Sequence, residues 1–232
     1  MNISQRETAF LFDVDNTLLD NDRVIADLQR HLEGRVGAEC AQHYWRIFER
    51  LRTELGYADY LGALQGYRGE HPRDLDILTV AGFLLNYPFA DRLFPHALEI
   101  IEHVKQWGCP AAVLSDGDVV FQPRKVDRSG LSKAVGGNVL IYLHKENELG
   151  DVAQRFPAEH YVLVDDKLRI LTAVKQSWGS RVTTVFVRQG QYARDPKLLM
   201  SFPADISLER VGDLLQYDLA QLRKDRDPNR SP

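Results

Sequence analysis

The sequence predicts an α/β protein with a doubly wound, parallel-sheet, Rossmann-like core and an inserted all-helical cap domain. Short apolar runs alternate with helical patterns through the second half of the chain, as a doubly wound sheet requires. Between the first two apolar runs lie about ninety residues with no strand signal. A simple β-α-β crossover needs far fewer residues, so this stretch predicts a separate structural unit.

Five apolar runs are the expected strands of the core. Each is four or five residues long and ends at polar or turn-forming residues, which is typical of strands buried on both faces of a parallel sheet. The runs are residues 9–12, 111–114, 139–143, 161–164 and 183–187. We therefore expect these five segments to form the parallel sheet.

Residues 20–91 have the periodicity of helices and form the expected cap. Apolar side chains recur there at helical spacing, first at Val24, Leu28 and Leu32. Asp22 precedes this pattern, and we expect it to be the N-cap of the first helix. The cap is therefore predicted to be a helical bundle.

The remainder of the chain forms the predicted catalytic core, residues 1–19 and 92–222. The apolar spacing predicts a helix over 97–104 that returns the chain to the core, and a last helix over about 208–222. Residues 223–232 are too polar to pack, so we expect a disordered tail.

The composition argues against several classes of protein. Of the 232 residues, 44% are hydrophobic and 27% are charged, which is ordinary for a globular protein. The net charge of -4 and the lack of a long apolar stretch argue against nucleic-acid and membrane partners. Residues 1–6 lack the apolar segment of a signal peptide, and Cys40 and Cys109 suit neither a disulfide framework nor a metal cluster. We expect a cytoplasmic protein with reduced thiols.

Polar side chains follow four of the predicted strands at their carboxyl ends. They are Asp13, Asp15, Ser115, Lys145, Asp165 and Asp166. Each has an ordinary alternative explanation, such as a turn, a helix N-cap for Ser115 or a surface position for Lys145. Because the carboxyl ends of parallel strands share one edge of the sheet, we expect a single oxygen-rich cavity there. Such a cavity suits a hard divalent ion such as Mg²⁺.

These residues resemble the motifs of the haloacid dehalogenase (HAD) superfamily of phosphotransferases. The first motif is similar to residues 13–17, Asp-Val-Asp-Asn-Thr, and the second to residues 114–117, Leu-Ser-Asp-Gly. The third motif is a lone lysine, matched by Lys145, which lies twenty residues before the acidic pair Asp165 and Asp166 of the fourth. The resemblance extends over roughly residues 8 to 190, and many members carry a helical cap after the first motif.

The resemblance implies a magnesium-dependent phosphomonoester hydrolase that acts on a small phosphorylated metabolite through an aspartyl-phosphate intermediate. Asp13 is then the expected nucleophile. Asp15 is the expected general acid and base, and its backbone carbonyl is expected to bind the metal. Ser115 is expected to hold a phosphoryl oxygen, and Lys145 to supply positive charge beside the phosphoryl group.

The expected Mg²⁺ ligands are Asp13, Asp15, Asp165 and Asp166. Asp166 aligns better with the direct ligand of the fourth motif, although the reverse order of the acidic pair stays open. His144 and Lys133 are weaker candidates for the role assigned to Lys145.

Several other reactions are less consistent with the sequence. Dehalogenases of the family do not use an acid two residues after the nucleophile, so Asp15 disfavours dehalogenation. Phosphonate-cleaving members need a cap lysine, whereas the first lysine of this chain is Lys105. The remaining alternatives are a sugar-phosphate mutase or other phosphotransferase, and a non-catalytic binding protein. The last is weakened because every expected catalytic position is filled.

Two further features have no assigned role. The cap arginines Arg46, Arg50 and Arg52 are better explained as a solvated helix face than as substrate contacts. Residues 186–192 look distinctive, and Gly190 among them is expected at a turn, but the segment has no chemical interpretation. The oligomeric state is open.

Overall fold

The computed structural model describes residues 6–191 and 203–223. It contains a parallel sheet of six strands in the order β3-β2-β1-β4-β5-β6. The strands are β1 (Arg6–Phe12), β2 (Ala111–Asp116), β3 (Val139–Tyr142), β4 (Ala158–Asp165), β5 (Val182–Val187) and β6 (Ile206–Leu208). This arrangement, with helices on both faces, confirms the predicted fold class.

The helices lie between the strands and at the end of the chain. They are α1 (Asn21–Leu55), α2 (Tyr60–Glu70), α3 (Ile77–Asn86), α4 (Ala97–Gln106), α5 (Phe121–Arg128), α6 (Leu131–Ala134), α7 (Leu149–Arg155), α8 (Leu168–Trp178) and α9 (Leu219–Arg223). Short 3₁₀ helices cover Phe89–Arg92, Lys145–Asn147, Gly179–Arg181 and Val211–Gln216. Among the described residues, no helix is both long enough and apolar enough to cross a membrane.

β1 lies at the centre of the sheet and sets the two layers of the core. Its successive residues face opposite sides, so Phe10 and Phe12 join one buried apolar cluster while Ala9 and Leu11 join another. Helices α4 and α5 contribute to the first cluster, and α7 and α8 to the second. The first cluster continues into the cap through residues such as Tyr44, so the cap and the core share one apolar interior.

The register of the sheet brings the ends of its central strands together. Phe12 of β1 is aligned with Val113 of β2 and with Val164 of β4. The residues that directly follow these positions therefore emerge at the same edge, as the sequence predicted. This edge carries the candidate site.

Residues 20–91 contain helices and turns and no strand, as the sequence predicted for the cap. α1 is interrupted at Gly37, whose φ of 81° and ψ of 164° are not helical, so it consists of two helical segments. The predicted N-cap at Asp22 is wrong. Asp20 caps α1 instead, because its side chain accepts the backbone N–H of Arg23, whereas Asp22 lies inside the first turn.

The single last helix predicted over 208–222 is also wrong. The chain forms β6, a 3₁₀ helix and the short α9 in place of it. Backbone groups that a helix would use are bonded laterally: the carbonyl of Leu208 accepts from the N–H of Arg188 at 2.8 Å, and the N–H of Val211 donates to the Gln189 side chain at 2.6 Å. Of the predicted tail, Arg223 closes α9, and residues 224–232 lie outside the described residues.

The segment after β5, which had no interpretation from the sequence, supports the loop that follows β1. Gln189 is buried, and its side-chain amide donates to the carbonyl of Thr17 at 3.2 Å. Gly190 has a φ of +73°, and a Cβ there would lie 2.5 Å from Cγ of Asn16. Gln189 and Gly190 therefore pack against the first-motif loop, residues 13–17, and fix its position. Tyr192 lies outside the described residues.

Substitution of Gly190 tests this support. In Gly190→Ala the new Cβ would sit on a left-handed backbone and would also clash with Asn16. The control Gly108→Ala has a similar left-handed φ of +76°, but no atom lies within 4 Å of its new Cβ. We expect Gly108→Ala to lower the free energy of unfolding by about 1 kcal/mol and Gly190→Ala by about 2–4 kcal/mol, because overpacking adds to the strain. Urea denaturation measures both values. Equal losses would show that Gly190 does not pack closely against Asn16.

Candidate active site

The loop after β1 is a tight turn that aims two carboxylates at the edge of the sheet. The backbone N–H of Asp13 donates to the carbonyl of Val164 at 2.9 Å, which extends the β1–β4 pairing by one residue. The Val14 carbonyl accepts from the N–H groups of Thr17, Leu18 and Leu19 and closes the turn. The hydroxyl of Thr17 donates to Asp13 Oδ2 at 3.3 Å.

Asn16 fixes the same loop to the start of the cap. Its left-handed φ of 59° is a conformation that asparagine tolerates better than most residues. Its side chain donates to Asp22 Oδ1 at 3.0 Å and accepts the backbone N–H of Asp22 at 3.1 Å. These two bonds connect Asp22 to the first-motif loop rather than to the helix terminus that it was expected to cap.

Lys145 lies at the centre of the site and is 1% exposed. Its Nζ is 2.5 Å from Asp13 Oδ1 and 2.7 Å from Asp165 Oδ2, and it donates to the carbonyl of Leu114 at 3.2 Å. Asp116 Oδ1 accepts the backbone N–H of Lys145 at 2.7 Å and so fixes the backbone of the lysine. The structure therefore brings the first, second, third and fourth motifs into contact.

The protonation equilibria show how strongly these charges interact. Burial alone would lower the pKa of Lys145, but the carboxylates of Asp13, Asp165 and Asp116 outweigh burial and raise it. Burial and the negative charge of Asp13 raise the pKa of Asp165 to about 6, although Lys145 opposes this shift. Burial also raises the pKa of Asp116. The site thus carries more negative charge than its lysines compensate.

Asp166 carries the clearest indication of a cation site. It is 1% exposed, and neither of its carboxylate oxygens has a hydrogen-bond partner among the described residues. Burial raises its pKa well above the usual range, and the charges of Asp165 and Asp13 add to this shift while Lys167 opposes it. Oxygens of Asp13, Asp165 and Asp166 all lie within 4.8 Å of one another. This donor set fits a hard divalent cation such as Mg²⁺.

Asp15 has a cationic partner that the sequence analysis missed. Lys125 on α5 is fully buried, and its Nζ is 2.7 Å and 2.8 Å from the two oxygens of Asp15, whose side chain is 24% exposed. The same Nζ donates to Oδ1 of Asn21 at 3.1 Å. The sequence does not indicate this contact, because a lysine on a helix usually faces solvent and nothing in the spacing between Ser115 and Lys125 suggests otherwise.

Ser115 is buried and does not cap a helix, so the N-cap alternative for it is wrong. Asp118 lies in the turn before α5, where its Oδ1 accepts the N–H groups of Val120 and Phe121 at 2.8 and 2.6 Å. Gln122 covers Ser115: its amide lies 2.9 Å from Ser115 Oγ and 3.4 Å from Asp15 Oδ2. Gln122 therefore links the first and second motifs, a role that the sequence did not indicate.

The two weaker candidates for the role of Lys145 lie elsewhere. Lys133 is exposed on α6. His144 is half-buried and lies against the end of α1, where a Cβ on Gly56 would be 2.5 Å from its Cε1. Gly56 closes α1 with a φ of 78°. His144 thus contacts the cap rather than the cluster around Lys145.

A cavity of about 840 Å³ lies between these strand ends and the cap. The core lines it with Asp15, Asp116, Gln122, Asp166 and Lys167 among others. The cap contributes Gln29, Trp45, Phe48, Glu49, Arg52, Tyr57 and Tyr60 among others. Of the three cap arginines considered from sequence, Arg46 and Arg50 lie outside the lining of this cavity, whereas Arg52 lines it and pairs with Glu49 at 2.8 Å.

An inserted helical cap over a Rossmann-like sheet, with an aspartate after β1, a lysine after β3 and an acidic pair at the end of β4, defines a class of hydrolases. The family model of haloacid dehalogenase-like hydrolases matches residues 7–177. The chain belongs to this family. No curated protein matches the sequence significantly.

Solved structures agree with this assignment. A haloacid dehalogenase-like hydrolase from Burkholderia xenovorans LB400 is 58% identical, with a TM-score of 0.88 over 92% of this chain and 99% of that chain. The HAD-hydrolase YfnB from Bacillus subtilis, bound to magnesium, is 16% identical, with a TM-score of 0.60 over 92% and 98% of the two chains. L-2-haloacid dehalogenase from Xanthobacter autotrophicus, with chloropropionic acid covalently bound, is 19% identical, with a TM-score of 0.59 over 91% and 98%. The last two likenesses show the fold alone.

The buried pair of Lys125 and Asp15 can be tested by a double-mutant cycle. Lys125→Met leaves the half-buried carboxylate of Asp15 without its cation, and we expect a loss of about 2–4 kcal/mol in the free energy of unfolding. In an Asp15→Asn background the same change should cost less than half as much. The control is Lys105→Met, which removes the exposed pair with Glu102 and should cost under about 1 kcal/mol. Additive losses at Lys125 and Asp15, measured by urea denaturation, would contradict the pairing.

Proposed function

We propose that this protein is a magnesium-dependent phosphomonoester hydrolase that acts on a small phosphorylated metabolite. The observation that carries the proposal is the pair of carboxylates on the loop after β1. Asp13 is paired with Lys145 and lies near the acidic pair at the end of β4, while Asp15 is held by Lys125 and lines the cavity. A nucleophile and an acid–base group thus lie two residues apart with different surroundings.

Asp13 is the proposed nucleophile. One of its oxygens is paired with Lys145 and the other accepts from Thr17, so the carboxylate is held in a fixed orientation. Its attack on phosphorus would break the bond to the leaving oxygen and form an aspartyl-phosphate, which water then hydrolyses. Lys145 would offset the charge of the phosphoryl oxygens, and Ser115 with its partner Gln122 would hold one of them.

Asp15 is the proposed general acid and base. It would protonate the leaving oxygen in the first step and accept a proton from the attacking water in the second. Its two contacts with Lys125 fix its position beside the cavity, and Gln122 limits its movement on the side of Ser115.

Mg²⁺ would be held by Asp13, Asp165 or its neighbour Asp166, and the backbone carbonyl of Asp15. Asp166 is the preferred direct ligand, because neither of its oxygens is hydrogen-bonded to a described residue, whereas Asp165 is engaged by Lys145 and by the N–H of Lys167. The ion, when bound, supplies charge neutralisation for the phosphoryl oxygens. Lys145 and Lys167 remain as the protein's own cations at this edge of the sheet.

Phosphate release tests the proposed reaction. We expect a panel of phosphorylated metabolites and a generic aryl phosphate to include substrates whose turnover requires magnesium and stops with chelator. Asp13→Asn should abolish turnover, and Asp15→Asn should lower kcat by about 10²–10⁴. The control Asp127→Asn makes the same chemical change on an exposed residue outside the cavity and should leave turnover unchanged.

Halide release from 2-chloropropionate serves as the competing assay. Halide release without phosphate release would replace the phosphatase proposal with dehalogenation. Retention of the phosphoryl group on a second sugar, rather than release to water, would indicate the mutase alternative. The absence of any turnover by folded wild-type protein would indicate a binding protein.

Asp166 offers a separate test of the proposed metal site. Because its buried carboxylate has no hydrogen-bond partner in the described part of the chain, Asp166→Asn should raise the free energy of unfolding by about 1–3 kcal/mol at neutral pH in the presence of chelator. The same variant should lose magnesium-dependent turnover. Excess magnesium should stabilise the wild type and not the variant, as thermal unfolding would show. A loss of stability in chelator would instead indicate that Asp166 is a structural residue.

A further inference from the structure

The cap contains a second cluster of side chains able to bind a metal ion, and it does not line the cavity. His43 lies on α1, Glu70 is the last residue of α2, and His71 follows it directly. His43 Nδ1 is 3.0 Å from His71 Nε2, and His43 Nε2 is 2.9 Å from Glu70 Oε2. The ligating atoms of the three residues all lie within 4.8 Å of one another. The cluster therefore joins the first two helices of the cap.

Tyr67 fixes the orientation of both imidazole rings. It is fully buried, and its hydroxyl donates to Asp74 at 2.9 Å. Its ring stacks on His71 with centroids 4.6 Å apart and meets His43 edge-on at 5.7 Å. The two histidines are thus held against an aromatic side chain and are not freely rotating surface groups.

The hydrogen bonds of the cluster determine which nitrogens can act as ligands. Glu70 accepts the Nε2–H of His43, so a neutral His43 presents a lone pair at Nδ1, towards His71. Only one hydrogen can lie between the two facing ring nitrogens. A metal ion bound by both nitrogens would lie to one side of the line that joins them, because Zn–N bonds of about 2.0–2.1 Å are longer than half of the 3.0 Å between the nitrogens. Glu70 would then remain hydrogen-bonded to Nε2 of His43. This is the carboxylate–histidine–metal arrangement that orients many zinc ligands.

We propose that His43 and His71 bind a borderline divalent ion such as Zn²⁺, with Glu70 orienting His43 and water in the open positions. Imidazole nitrogen suits zinc, whereas the carboxylate cluster at the edge of the sheet suits magnesium. The two sites therefore differ in the ion that they select. Zinc at the histidine site would connect α1 to α2 and stabilise the cap.

Zinc binding by the full chain tests this site. Isothermal titration calorimetry with Zn²⁺, in excess magnesium to occupy the carboxylate cluster, should show one zinc ion bound and a rise in the thermal unfolding midpoint. His43→Gln and His71→Gln should abolish both effects, and Glu70→Gln should weaken binding by about 10–100-fold. The control His103→Gln changes a histidine that meets Trp107 edge-on, away from the cluster, and its zinc binding should match the wild type.

Three outcomes would overturn the proposal. The first is no zinc binding by the wild type, and the second is equal binding by His43→Gln, His71→Gln and wild type. The third is loss of the signal in Asp166→Asn, which would place the ion at the carboxylate cluster.

Urea denaturation without zinc separates misfolding from loss of a ligand, because the glutamine variants should retain most of the wild-type stability when no metal is present. If either one is unfolded, the visible absorption of bound Co²⁺ in wild type and Glu70→Gln decides whether histidine ligates the ion.

Discussion

Repulsion among carboxylates at one edge of the sheet is the constraint on which the rest of this site depends. The parallel register brings Asp13, Asp116 and the pair Asp165 and Asp166 to the same edge. All of these except the half-buried Asp116 are buried, so little water screens their charges. Lys145 compensates this charge by touching two carboxylates with its side chain and a third with its backbone. Because both oxygens of Asp166 lack a hydrogen-bond partner among the described residues, the compensation is incomplete. The site thus retains an excess of negative charge that a divalent cation would neutralise.

The other carboxylate of the first motif is compensated separately, and this couples the site to the cap. Lys125 lies between Asp15 and Asn21, which is the first residue of the cap helix α1. The amide of Asn21 donates in turn to the hydroxyl of Tyr60 on α2 at 3.3 Å. A movement of the cap would therefore change what holds Asp15 in place. The contact of His144 with Gly56 forms a second link between the third motif and the cap.

The strands and the motif residues were predictable because they obey local rules. A buried parallel strand is an uninterrupted apolar run, and the residues at its carboxyl end must share an edge with those of its neighbours. Lys125, Gln122 and the segment around Gln189 act through contacts between distant parts of the chain, which no local pattern records. β6 was not predicted for a similar reason. It has three residues, which are too few to show a strand periodicity, and it is defined by its pairing with the distant strand β5. Asp20 caps α1 while Asp22 is hydrogen-bonded to Asn16, and sequence spacing does not reveal this difference between the two aspartates.

The fold alone does not separate dehalogenation from phosphate-ester hydrolysis, since relatives that share it include a haloacid dehalogenase and a magnesium-bound hydrolase. The leaving groups of the two reactions differ in basicity. A halide ion departs without a proton, whereas an alkoxide leaving a phosphate ester needs one from an acid beside the bond that breaks. In the proposed phosphatase reaction this acid would be Asp15, which lines the cavity and follows Asp13 by two residues. A carboxylate that merely filled space there would not require burying a second lysine to hold it, because a neutral side chain of similar size would avoid the cost of desolvating both charges.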